Sequence, residues 1–240
     1  MGQRSAKSLS TQNFGQNRRV SSVNTAGKNK TKPLIAVLDY GIGNLRSAQK
    51  GLQFVGADAQ LTNDKKLIAE AQAVVLPGVG NFGACMTALR EADLEDSVHD
   101  AIDSGRPFLG ICVGMQMLFD SSEESPGVDG LGVVAGEIKW LPEGVQRPQM
   151  QWNRLIIKNQ DELFAGLSEN PWMYFVHSLS AVAKDQSVVA ATCSYGSELL
   201  AALRVRNVFA TQFHPEKSAT EGLRILENFV DSCAVAVTAK

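Results

Sequence analysis

The sequence predicts an α/β fold: a mostly parallel sheet flanked by helices, with an added antiparallel portion. Three observations predict it. Short apolar runs alternate with amphipathic helical stretches through the first half of the chain. The runs break off at glycine-bearing turns, and the second half is denser in strand-like segments than in helical ones. The first pattern is how parallel strands joined by crossover helices read, because strands covered on both faces are apolar along their whole length.

The regular text begins at Pro33, and 33–240 reads as one domain. Leu34–Leu38 is a buried-strand run followed by the turn Asp39-Tyr40-Gly41-Ile42-Gly43. Asn44 is placed to cap a helix with the apolar stripe Leu45, Ala48, Leu52 and Val55. Ala73–Leu76 is a second buried strand, ending in Pro77-Gly78-Val79-Gly80. A helical stretch through Ala88, Leu89, Val98 and Ile102 leads to Gly105. Pro107–Ile111 is the third strand and ends at Cys112, with Val113–Phe119 as the helix after it. Six strand-like segments follow: 133–140, 154–157, 173–176, 188–192, 199–205 and 208–213. The last helix starts at Ser218, where Ser218-Ala219-Thr220-Glu221 fits a capping box and Leu223, Leu226 and Val230 form the inward stripe.

Composition narrows the function. The 240 residues are 44% hydrophobic and 20% charged, with a formal net charge of −2. That balance points to no nucleic-acid partner, and no apolar run is long enough to span a bilayer. Charge is uneven, however. Residues 1–32 carry seven Lys or Arg and no acid, leaving sixteen basic against 25 acidic residues in the remainder. Rich in Ser, Asn, Gln and Gly, 1–32 reads as a disordered basic tail that cannot bury a core. Its acid-free composition is also that of transit peptides, but no amphipathic helix accompanies it. Cys85, Cys112, Cys193 and Cys233 lie far apart with no metal-site spacing, so a reducing, cytoplasmic setting is the expectation.

The chemistry centres on Gly110-Ile111-Cys112-Val113-Gly114. A G-x-C-x-G sequence where a buried strand meets a helix is a nucleophile elbow with sulfur in place of oxygen. The reactive residue sits on a sharp turn, and small residues two before and two after make room for the crowded backbone. A thiol needs a base, and the base needs a group to hold it. Of three histidines, His214 follows a strand and precedes Pro215-Glu216, at the strand edge where open α/β sheets place their sites. Glu216 is placed to hold the imidazole in one tautomer. His99 lies in an acidic stretch and reads as a solvated helix residue. The loop Gly78-Val79-Gly80 ends a strand on the same edge, and its N–H groups, with that of Val113, are candidates for an oxyanion hole. Gly41-x-Gly43 resembles a dinucleotide fingerprint but fails at Arg46, where a third glycine is required.

These stretches together resemble the class I, triad-type glutamine amidotransferases. Within them they resemble the glutaminase subunits of imidazole glycerol phosphate synthase, from histidine biosynthesis. The resemblance is carried by Asp39–Leu45 (DYGIGNL), Leu76–Gly83 (LPGVGNFG), Gly110–Phe119 (GICVGMQMLF), Tyr174–Ser178 (YFVHS) and Gln212–Ser218 (QFHPEKS). It implies a Cys112–His214–Glu216 triad that hydrolyses glutamine without metal or cofactor. It implies that Gln116, Glu124, His177 and Ser178 bind glutamine. It also implies that Trp152, Asn153, Tyr174 and Lys217 face a separate cyclase subunit, in a heterodimer through which ammonia passes. Two departures stand out. Pro148-Gln149-Met150-Gln151-Trp152-Asn153 replaces the usual Pro-His-Met-Gly-Trp-Asn, and Leu179 stands where a tyrosine often follows the His-Ser pair. Two other readings fit the residues: an amidotransferase serving another synthase, such as an anthranilate or aminodeoxychorismate type, and an inactive regulatory subunit.

Overall fold

The computed structural model describes residues 32–238. The basic tail expected over 1–32 therefore lies outside the described residues except for Lys32. In chain order the elements are β1 (Leu34–Leu38), α1 (Leu45–Phe54), β2 (Asp58–Thr62), α2 (Lys65–Glu70), β3 (Ala73–Gly78), α3 (Phe82–Glu91) and α4 (Glu95–Asp103). Then come β4 (Phe108–Cys112), α5 (Val113–Gln116), β5 (Phe119–Ser122), β6 (Val134–Trp140), β7 (Gln149–Arg154) and β8 (Ile156–Ile157). The chain closes with β9 (Trp172–His177), β10 (Leu179–Ala183), β11 (Val189–Tyr195), β12 (Ser197–Val205), β13 (Val208–Thr211) and α6 (Ala219–Thr238).

The main sheet has eight strands in the order β2-β1-β3-β4-β13-β12-β11-β8. The pairs from β2 to β13 are parallel, and those from β13 outward to β8 are antiparallel. This is the expected parallel sheet with its antiparallel extension. Beside it lie a three-stranded sheet, β10-β6-β5, and a two-stranded ribbon, β7-β9. Every residue of β3, β4 and β13 is buried, as continuous apolar strands under two helical layers must be. Burying one such Val or Leu side chain contributes about 1.5–3 kcal/mol, so these central strands anchor the sheet.

Several local expectations give way. Asn44 makes no side-chain bond to α1, although the helix buries Leu45, Ala48 and Leu52 as predicted. The capping box at Ser218 does not form. The Ser218 hydroxyl donates to His214 O at 2.6 Å, and the Glu221 carboxylate accepts from Ser168 N–H at 3.4 Å. The helix expected over 113–119 ends at Gln116, because Phe119 turns into β5 and pairs with Val134. Four strands have no counterpart in the apolar pattern: β2, β5, β7 and β10. Strands β2, β5 and β7 carry polar residues at solvent-facing positions, and β10 begins one residue after β9, with only Ser178 between them.

Candidate active site

Strand β4 delivers Cys112 to the C-terminal edge of the sheet, between β3 and β13. Cys112 has φ +56° and ψ −113°, a conformation that L residues avoid, so the turn is strained as an elbow requires. The flanking glycines are there for space. A Cβ on Gly114 would stand 1.8 Å from Leu76 O, and one on Gly110 would stand 3.1 Å from Ala210 Cβ. No side chain fits at Gly114 without moving β3.

Strand β13 runs parallel to β4, with Thr211 beside Ile111, so the chain just beyond it reaches the same edge. There His214 precedes the single helical turn Pro215–Lys217. His214 Nδ1 meets Glu216 Oε1 at 2.8 Å, with both side chains 3% exposed. Gly51 of α1 packs beside this pair, where a Cβ would press on Leu226 Cδ1 at 2.9 Å and touch Glu216 Cβ at 3.4 Å. His214 Nε2 is buried with no hydrogen-bond partner in the resting geometry, which leaves it available to the thiol. Burial works against the imidazolium, yet interactions with the Cys112 sulfur and the Glu216 carboxylate outweigh it. The net effect raises His214 to about 9.

A cleft of about 430 Å³ opens at this edge. Of the residues singled out from sequence, Cys112, Val113, Val79, Gly80, Gln116, Glu124, His177, Ser178, His214 and Lys217 line it. Gly78 does not. It pairs with Cys112 inside the sheet, and a Cβ there would press on Gly114 N at 2.7 Å and Tyr40 Oη at 3.0 Å. It serves the packing of the elbow, whereas Val79 and Gly80 (φ +92°) form the exposed part of the loop. Glu216 sits behind His214 rather than in the wall.

The wall residues are already bonded in ways that limit their roles. Glu124 Oε2 accepts the Phe82 N–H at 2.8 Å, in the first turn of α3. Gln116 is buried and donates to Gln212 Oε1 at 3.0 Å and Leu179 O at 3.4 Å, which leaves Oε1 for another partner. His177 Nδ1 lies 2.6 Å from Leu179 O, and Nε2 lies 2.9 Å from the Gln149 amide. Burial is the largest influence on His177 and pushes it down to about 4. The cleft also includes Asn44, Pro148, Val176 and Leu179, which no sequence motif singled out as site residues. Among the described residues no His, Cys, Asp and Glu group could hold a metal ion.

The ribbon β7-β9 carries the residues expected to face a partner. Met150, Trp152 and Trp172 are exposed on it, with Trp152 packed edge-on against Tyr174 at 6.1 Å. Asn153 is half-buried and donates to Ser194 O at 2.9 Å, a bond exposed at the surface. Lys217 lies apart from the ribbon, in the cleft wall. No helix among the described residues is long and apolar enough to cross a membrane.

Residues 37–233 match the family described as glutamine amidotransferase class-I. The chain is 48% identical over 202 residues to the imidazole glycerol phosphate synthase subunit HisH of Geobacter sulfurreducens, covering 81% of this chain and 97% of that one. It is 46% identical to the HisH subunit of Aquifex aeolicus over 194 residues, 80% of this chain and 94% of the other. Among solved structures, PurLQS from Thermotoga maritima shares the fold, with a TM-score of 0.68 at 23% identity over 86% of this chain and 99% of that one. The strained Cys112 elbow, the His214–Glu216 pair beside it and a match spanning most of the chain agree: this protein belongs to the class I glutamine amidotransferase family.

Proposed function

We propose that this chain is the glutaminase subunit of an imidazole glycerol phosphate synthase. In this reading it hydrolyses glutamine to glutamate and ammonia and passes the ammonia to a separate cyclase subunit in a heterodimer. The observation that carries it is the meeting of Cys112 and His214 in one cleft, with Glu216 buried behind the imidazole, in a chain 48% identical to a HisH subunit. The four free cysteines suit a reducing, cytoplasmic setting.

His214 takes the Cys112 proton at Nε2, and Glu216 holds Nδ1 so that Nε2 faces the thiol. The thiolate attacks the side-chain amide carbon of glutamine. The N–H of Val113 and one from the Val79–Gly80 loop receive the oxyanion. His214 returns its proton to the leaving nitrogen, so ammonia departs and a γ-glutamyl thioester remains. Water, deprotonated by the same imidazole, opens the thioester to glutamate and restores the thiol. Gln116, Glu124, His177 and Ser178 line the space left for the amino-acid end of glutamine, where the Glu124 carboxylate suits the ammonium. The exposed Trp152 and Trp172 offer the cyclase an aromatic docking face.

The test is glutamate release from glutamine, with the chain alone and with a histidine-pathway cyclase and its nucleotide substrate. A Cys112-dependent rise on adding the cyclase supports both the chemistry and the partner. No rise in a complex shown to have formed would reject the cyclase assignment, and equal rates from the Cys112→Ala variant would reject the nucleophile.

A further inference from the structure

We infer that Gln212 is a hydrogen-bond donor to the reacting sulfur and stabilises the Cys112 thiolate once the proton has left, a role outside the Cys–His–Glu triad. The use of that anion to attack glutamine rests on the glutaminase reading above. The contact with the sulfur does not.

The inference starts from an atom whose character is not in question. Leu179 O is a main-chain carbonyl and can only accept. Gln116 Nε2 points at it from 3.4 Å and at Gln212 Oε1 from 3.0 Å, so the Gln116 amide must present its NH₂ in that direction. Gln212 then receives this donor on its oxygen, and its own NH₂ is turned the other way. That NH₂ stands 3.8 Å from Cys112 Sγ, within reach for an acceptor as large as sulfur. Each amide is thus oriented by the one before it, and the series ends on the nucleophile.

Burial gives the contact its weight. Gln212 is fully buried, Gln116 is 3% exposed and Cys112 is 3% exposed, so the donor has no water to turn to. A neutral thiol is a weak acceptor and leaves this NH₂ poorly satisfied, whereas a thiolate satisfies it with a charge-assisted bond. The amide therefore stabilises the anion more than the thiol. It does so from a side chain distinct from His214, whose Nδ1 is held by Glu216. The main chain at Gln212 is fixed as well, because its N–H donates to Ala201 O at 2.8 Å.

Alkylation by iodoacetamide in the absence of glutamine reads the thiolate directly, because only the thiolate displaces iodide. Cys85, Cys193 and Cys233 are fully buried, and a Cys112→Ala chain supplies the background. The substitution Gln212→Leu keeps the volume and removes the donor. At pH 7 it is expected to slow Cys112 alkylation roughly tenfold, and the rate is expected to recover toward that of the unsubstituted chain as pH rises. Recovery at high pH is the check that the cleft is intact. Gln116→Leu, which frees the Gln212 amide to turn, is expected to give a smaller loss of the same kind, and it carries the test if Gln212→Leu does not fold. A pH–rate curve that superimposes on that of the unsubstituted chain would overturn the inference. So would an unaltered curve accompanied by a raised KM for glutamine, which would make Gln212 a substrate contact. If alkylation shifts as expected but no glutamine is hydrolysed with any cyclase, the glutaminase reading fails and the Gln212 contact stands.

Discussion

Two histidines face the same cleft from different parts of the fold, and burial treats them alike while their partners do not. His214, beyond the end of β13, is 2% exposed and raised to about 9. His177, at the end of β9, is 6% exposed and lowered to about 4. Removal from water disfavours the charged ring in both places. At His214 a carboxylate and a sulfur reverse the outcome. At His177 the partners are a carbonyl and an amide, which offer no net charge. Its Nδ1–H donates to Leu179 O, which leaves a lone pair on Nε2. In the structure Gln149 Oε1 faces this lone pair at 2.9 Å while Gln149 Nε2 is left without a partner, and exchanging the N and O of the amide would satisfy both groups. One wall of the cleft favours a charged ring and the other keeps a ring neutral.

The sharpest way to break this contrast is to remove each ring. His214→Gln is expected to cost about 10³-fold or more in glutamine hydrolysis, comparable to Cys112→Ala, whereas His177→Gln stays within roughly tenfold. Steady-state glutamate release decides it, and equal losses would erase the distinction. Glu216→Gln keeps the shape but removes the charge that raises His214. It is expected to lower kcat by about 10²–10³-fold.

The two rings also predict opposite dependences of stability on pH. His177 is neutral in the folded chain down to about pH 4, but the unfolded chain takes up its proton near pH 6.5. Its contribution is therefore present above pH 6.5 and lost as pH falls, at about 1.4 kcal/mol per pH unit between 6.5 and 4. His214 contributes stability that is complete below pH 6.5 and lost as pH rises toward 9. Urea unfolding of His177→Gln should be flatter than that of the parent chain on the acid side alone. A variant that flattens the alkaline side instead would reverse the assignment. The smallest effect belongs to the ribbon. Trp152→Ala is expected to weaken binding of the cyclase by about 2 kcal/mol, roughly thirtyfold in Kd, as titration calorimetry would show.

The parallel half and the Cys112 elbow were legible because each is written locally. Leu34–Leu38, Ala73–Leu76 and Pro107–Ile111 are apolar runs with no helical alternative of comparable fit, and Gly110, Cys112 and Gly114 have spacing that only a tight turn requires. Strand β7 was illegible for the opposite reason. Gln149 is its one fully buried residue and is polar, while Met150 and Trp152 face out, so the pattern is inverted. Gln212 was quoted within a motif but given no task, because its partners Gln116 and Leu179 lie far off in sequence. Caps failed for a similar reason: Ser218 looked local and was claimed by the main chain of His214 and Tyr174.

That last arrangement ties the ribbon to the base. Tyr174 N–H donates to Ser218 Oγ at 3.0 Å, Ser218 Oγ–H donates to His214 O at 2.6 Å, and His214 N–H donates to Tyr174 O at 3.0 Å. The three bonds close a ring between the outward-facing ribbon and the histidine main chain. In mechanical language it is a closed linkage: the ribbon residue Tyr174 and the backbone of His214 share three bonds, so a displacement of one strains the other.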